Sequence, residues 1–168
     1  MPTPTYTALA NITLGSSAST VTFSSIPATY RDLVLVCSAA VTSTGDTIRL
    51  RFNGDTGNNY NWVFMNGTGS VASSSSQSNQ AQLDFTASVG LPTVVGRYNT
   101  ILQIMDYSAT DKHKTTLSRT NQNEDTYPGV TGLAGRWAST SAVTSMVIFP
   151  STFSFIAGST FALYGIAS

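Results

Sequence analysis

Residues 47–52 read Thr47-Ile48-Arg49-Leu50-Arg51-Phe52, with an apolar residue at every second position and charge between, and short segments of this kind recur along the chain. Side chains of an extended strand point alternately to opposite faces, so such a segment lays one face on a core and leaves the other to water. A helix would scatter the same residues around its circumference. The spacing predicts Ile48, Leu50 and Phe52 inward and Arg49 and Arg51 towards water or a neighbouring subunit. Further strands are expected over 6–14, 20–23, 32–40, 60–65, 96–107, 113–122, 129–137, 142–149 and 160–167, with turn residues between them. In Leu33-Val34-Leu35-Val36-Cys37 both faces are apolar, which predicts a central strand covered on both sides. Gly129, Gly132 and Gly135 predict bulges or close backbone approach within one strand. The stretch 67–82, centred on Ser73-Ser74-Ser75-Ser76, has little apolar surface and reads as an exposed loop.

No segment combines sustained helical periodicity with caps. The pattern predicts an all-β, single-domain antiparallel β-sandwich of jelly-roll type over residues 1–168, with about ten or eleven strands, essentially no helix and a short extended N-terminal arm over about 1–5. A chain of 168 residues is long enough to bury a real core.

Only 10% of the residues are charged, against roughly 25% in ordinary globular proteins, while serine and threonine exceed a quarter of the chain. Net charge is zero, so there is no basic field to collect phosphates, and nucleic acid is not an expected partner. Weak repulsion between copies favours self-association and predicts a homo-oligomer. No window approaches the ~20 apolar residues that a membrane helix requires, so no membrane insertion is expected. Met1-Pro2-Thr3-Pro4-Thr5 lacks the basic and apolar stretches of a signal peptide. Cys37 is the sole cysteine and sits in an apolar run, which predicts a buried, inert thiol.

Little in the chain points to catalysis. His113, the only histidine, is flanked by Asp111, Lys112 and Lys114 and reads as a solvated turn residue. No Gly-x-Ser-x-Gly elbow occurs. The acids Asp32, Asp46, Asp55, Asp84, Asp106, Asp111, Glu124 and Asp125 are scattered, with only the last two adjacent. No catalytic residue, metal or cofactor is expected.

The segment Asn53-Gly54-Asp55-Thr56-Gly57-Asn58-Asn59 is rich in oxygen donors but lacks the spacing and closing glutamate of an EF-hand. It predicts a hydrogen-bonded turn in which Asp55 caps backbone N–H groups, while Tyr60 and Trp62 anchor it to the sandwich. The candidate recognition residues are Asp55, Asn58, Asn59, Tyr60, Trp62 and Tyr127. Aromatic platforms for sugar rings could come from Tyr60, Trp62, Tyr98, Tyr127 and Trp137, beside the loops 53–60, 67–82 and 121–129.

Several stretches carry a resemblance. They are Ser19-Thr20-Val21-Thr22-Phe23-Ser24-Ser25-Ile26-Pro27-Ala28-Thr29-Tyr30-Arg31-Asp32-Leu33-Val34-Leu35 and Leu50-Arg51-Phe52-Asn53-Gly54-Asp55-Thr56-Gly57-Asn58-Asn59-Tyr60. Ile104-Met105-Asp106-Tyr107, Trp137 with 142–148, and Leu163-Tyr164-Gly165-Ile166 complete the set. Together they resemble a group of tailed-bacteriophage virion proteins of tail-fibre, minor-tail or head-decoration type. The resemblance implies a non-enzymatic structural protein of the virion, assembled in the host cytoplasm with other capsid or tail proteins as partners. By analogy with phage fibre and decoration proteins it implies a homotrimer. A capsid decoration or cement role is expected first, with a tail-associated adhesin recognising host surface glycan as the alternative. The resemblance implies no functional residues.

Overall fold

The computed structural model describes residues 4–43, 46–86, 97–122 and 129–167, and Tyr127, Glu124 and Asp125 lie outside them. The described residues form twelve strands and no helix. One antiparallel sheet has eight strands. In spatial order these are β1 (Tyr6–Thr13), β12 (Thr160–Ile166), β3 (Asp32–Ala39), β8 (Tyr98–Met105), β9 (Lys114–Gln122), β10 (Val130–Trp137), β5 (Tyr60–Gly67) and β6 (Ala72–Gln80). The other has four: β2 (Val21–Phe23), β11 (Met146–Pro150), β4 (Ile48–Phe52) and β7 (Leu83–Asp84).

The alternation in β4 has its expected result. Ile48, Leu50 and Phe52 are fully buried, and they share one core with Leu33, Leu35 and Cys37 of β3, Leu102 and Ile104 of β8, and Phe161 and Leu163 of β12. Arg49 and Arg51 lie on the opposite face, where each finds a partner within the chain. Arg49 approaches Asp84 at 3.7 Å, and Arg51 donates to the Ala81 carbonyl at 3.1 Å while its guanidinium stacks on Phe149. Cys37 is buried, and desolvation holds its thiol far above the ordinary range.

Two expectations are corrected, those for the serine-rich stretch and for β3. The serine-rich stretch is not a loop: β6 pairs along β5 from Gly67↔Ala72 to Tyr60↔Gln80, with a bulge between Tyr60 and Trp62. Backbone hydrogen bonding to a neighbour, not apolar burial, holds this strand at the sheet edge. The central strand β3 is covered on both sides only over its first half, where Asp32 and Val34 are buried on the outer face, whereas Val36 further along that face is 37% exposed. The glycines of β10 produce no bulge, because both of its ladders run in unbroken register. Gly135 does mark a close approach, since a Cβ there would meet Leu83 Cδ1 and Thr116 Oγ1 at 2.6 Å. Ahead of β1 the Thr5 carbonyl accepts the Ala167 N–H at 3.0 Å, while residues 1–3 of the expected arm lie outside the described residues.

Candidate functional site

The turn after β4 is built as its residue types dictate. Asn53 and Gly54 both have positive φ, 51° and 68°, which asparagine and glycine tolerate best, and the Asp55 N–H closes the reversal on the Phe52 carbonyl at 2.9 Å. Asn53 then ties the turn to the segment before β11. Its amide donates to the Ala142 carbonyl at 2.7 Å, and its oxygen accepts the N–H groups of Thr144 and Ser145 at 2.9 and 3.1 Å.

Asp55 organises the rest of the loop. Its carboxylate accepts the Gly57 N–H at 2.7 Å, the Asn59 side-chain amide at 2.9 Å and the Trp137 indole N–H at 2.6 Å. Burial raises the pKa of this carboxyl, but the bonds from Trp137, Asn59 and Gly57 together outweigh it and hold the group below the usual range. Its oxygens therefore meet N–H donors, the opposite of the lone pairs that would surround a cation. The Tyr60 hydroxyl accepts the Phe52 N–H at 3.0 Å, and burial pushes its pKa up to about 12.

The structure thus brings Asp55, Asn59, Tyr60 and Trp137 into one contact network that fastens a loop. Tyr60 and Trp137 stack at 6.4 Å with Phe52 against both, and all three rings belong to the core. The proposal that Tyr60, Trp62, Tyr98 or Trp137 could offer a ring face to a ligand is corrected, since all four are buried. They are the largest apolar surfaces available, and a sandwich gains most by covering them. Asn58 is exposed, and Tyr127 lies outside the described residues.

Of the four buried charged groups among the described residues, Asp46, Asp84 and Lys114 escaped the sequence reading because they have partners distant in the chain. Asp46 accepts the N–H groups of Thr47, Thr152 and Phe153 at 2.8, 3.1 and 2.8 Å, together with the Ser151 hydroxyl. Desolvation alone would raise its pKa, yet these bonds bring it below the ordinary value. Asp84 accepts the Thr47 hydroxyl at 2.7 Å, and burial keeps its pKa raised despite Thr47 and Arg49. Lys114 is buried and donates to the carbonyls of Lys112 and Thr140 at 2.8 and 3.3 Å, with its pKa lowered by desolvation. Each pins a loop to a strand end. His113, the neighbour of Lys114 in the chain, is exposed. Among the described residues no three His, Cys, Asp or Glu side chains converge.

The accessible chemistry lies on the outer face of the eight-stranded sheet. The registers place Val36, Ile101, Arg119, Gly132 and Met65 in one row across five strands. Two depressions of about 420 and 430 Å3 adjoin along this row, sharing Val36, Ile101 and Arg119. The first is rimmed by Ser38, Asn99 and Asn121, and the second by Gln103, Tyr6 and Tyr164. Sequence reasoning looked for recognition in loops and missed this groove. Its one local signal was the alternation Leu117, Arg119, Asn121 against Thr116, Ser118, Thr120, which leaves the inward set undecided.

No family model matches the chain, and no curated protein or solved structure matches it.

Proposed function

We propose that this chain is a non-enzymatic structural component of a tailed-phage particle, a decoration or cement protein that joins other virion proteins and forms a homo-oligomer, with a trimer as the first arrangement to test. The observation that carries this reading is one corner of the large sheet. There β6 runs in unbroken register from Ala72 to Gln77, before its bulge, and carries neither a charged residue nor a proline, devices that keep sheet edges apart. Beside it Met65 is 68% exposed, with Val63, Val71 and Val130 also turned to solvent. An uncharged strand edge bordered by apolar side chains is a surface that a neighbouring chain would cover. The strand order adds support. Strands β1-β12-β3-β8 and β2-β11-β4-β7 interleave in sequence between the sheets, as in a jelly roll, with β5-β6 and β9-β10 as two inserted hairpins.

A second reading, a tail-associated module that recognises host surface glycan, is favoured by the groove around Arg119. Copy number per purified virion, measured by quantitative mass spectrometry against the major capsid protein, separates the two. Hundreds of copies would support decoration of the lattice. A few to a few tens would support the tail, and absence from particles would overturn the virion reading. In the decoration case Met65→Asp should reduce occupancy on the particle while leaving the Tm of the free protein unchanged.

A further inference from the structure

We infer that the groove on the outer face of the eight-stranded sheet binds an acidic oligosaccharide, with Arg119 as the carboxylate-recognising residue. The inference stands on the groove itself and holds whichever particle location is correct.

Arg119 is exposed at the middle of the sheet and forms no hydrogen bond or ion pair among the described residues. A second exposed guanidinium, Arg136, follows on the same face of β10. The carboxylate on this face, Asp32, keeps its charge but is held by neutral donors, the Asp106 N–H at 2.9 Å and the Gln103 amide at 3.3 Å. Two guanidinium groups, Arg119 and Arg136, thus stand against one carboxylate on the outward positions of these strands, and a guanidinium fork matches a carboxylate.

The surroundings select a sugar. Val36 and Ile101 give an apolar floor for the C–H face of a pyranose ring, and the carboxamides of Asn99 and Asn121 stand above it to meet hydroxyls. At the other end Tyr6, 57% exposed, and Tyr164 supply aromatic walls, and Gln103 keeps its amide oxygen free of the Asp32 bond. Each depression is the size of a small-ligand site, roughly 300–1,000 Å3. Because they join at Arg119, the ligand is an elongated chain whose acidic unit sits at the junction.

Isothermal titration of the full-length protein with oligogalacturonate, an α-linked acidic sugar chain, tests the proposal, with neutral malto-oligosaccharide and poly-glutamate as comparison probes. Saturable binding to oligogalacturonate at least tenfold tighter than to either comparison probe is expected. Arg119→Ala should lose at least tenfold in affinity, Arg119→Lys should lose less, and Lys112→Ala, a cation on a distant turn, should lose nothing. Because Arg119 is exposed, the Tm of its variants should match the wild type, and amide chemical shifts should move on β3, β8 and β9 when sugar is added. Equal binding of the neutral chain, stronger binding of poly-glutamate, binding unaffected by Arg119→Ala, or no binding to oligogalacturonate would each overturn it. Virion copy number is independent of all these outcomes, so the particle reading and the groove fail separately.

Discussion

Strands β4 and β9 both alternate, and they put opposite chemistry inside. In β4 the buried set is Ile48, Leu50 and Phe52, and arginines face outward. In β9 the buried set is Thr116, Ser118 and Thr120, while Leu117, 52% exposed, and Arg119 face outward. The reason lies in what each strand covers. Strand β4 faces the apolar residues of β3, β8 and β12 across the sandwich, whereas β9 faces the chain leaving β7, where the Ser118 hydroxyl donates to the Phe85 carbonyl at 2.8 Å. Thr120 pairs with Thr100 through hydroxyls 3.0 Å apart. Polar groups are accommodated inside where backbone carbonyls or other hydroxyls meet them, and the apolar residues displaced outward become available for contacts.

This contrast orders the expected effects of substitution. Leu50→Ala should cost the most, about 2–5 kcal/mol by urea unfolding, because a large residue at the centre of the sandwich leaves a cavity. A cost below about 1 kcal/mol would mean that the β4 side is not the principal core. Ser118→Ala should cost ~1–3 kcal/mol, the penalty for stranding the buried Phe85 carbonyl. If it proves neutral, the inward hydroxyls of β9 are not holding the segment after β7.

Acid should act on the loops at the ends of β4. Asp46 and Asp55 have pKa values below their ordinary values when folded, so their contribution is fully present above the unfolded carboxyl pKa of about 4 and is lost as pH falls through the folded values. Asp84 works the other way: its folded pKa is raised, so its contribution favours the fold below the unfolded value and is lost as pH rises through the folded one. Tm should therefore fall from pH 5 to pH 2, and Asp46→Asn should flatten that fall while lowering the Tm at pH 7. An unchanged pH profile in the variant would remove Asp46 from the account.

Smaller effects belong to β9. Thr116 has a buried hydroxyl without a hydrogen-bond partner, so Thr116→Val should be neutral or raise stability by less than about 1 kcal/mol. Leu117→Lys, on the outer face, should stay within about 0.5 kcal/mol of wild type. Marked destabilisation by Leu117→Lys would show that the outer face of β9 is covered within the chain itself.

The register of inside and outside was legible in β4 because the outward positions carry charge, which leaves one way to bury the strand. It was not legible in β9, where threonine and serine suit either face. The Asn53-Gly54 turn was legible for a similar reason, since few residue pairs tolerate two successive positive φ values. The Asp55 cap on the Gly57 N–H was local and followed from the residue type, but its bond to Trp137 was not, because the partner is 82 residues away. Trp62, Tyr60 and Trp137 read first as core and second as ligand platforms, and their burial between the sheets bears out the core reading.

By itself the sequence determined that the chain is all β, where most strands begin and end, and which turn follows β4, because period-two alternation and positive-φ residues act over a few positions. The tertiary structure decided that the serine run is an edge strand, that β9 turns its hydroxyls inward, that Asp46, Asp84 and Lys114 fasten loops through distant partners, and that Arg119 stands unpaired over a groove. Each of these depends on which strands become neighbours, and that is set by burial and hydrogen bonding across tens of residues, beyond the reach of any local pattern.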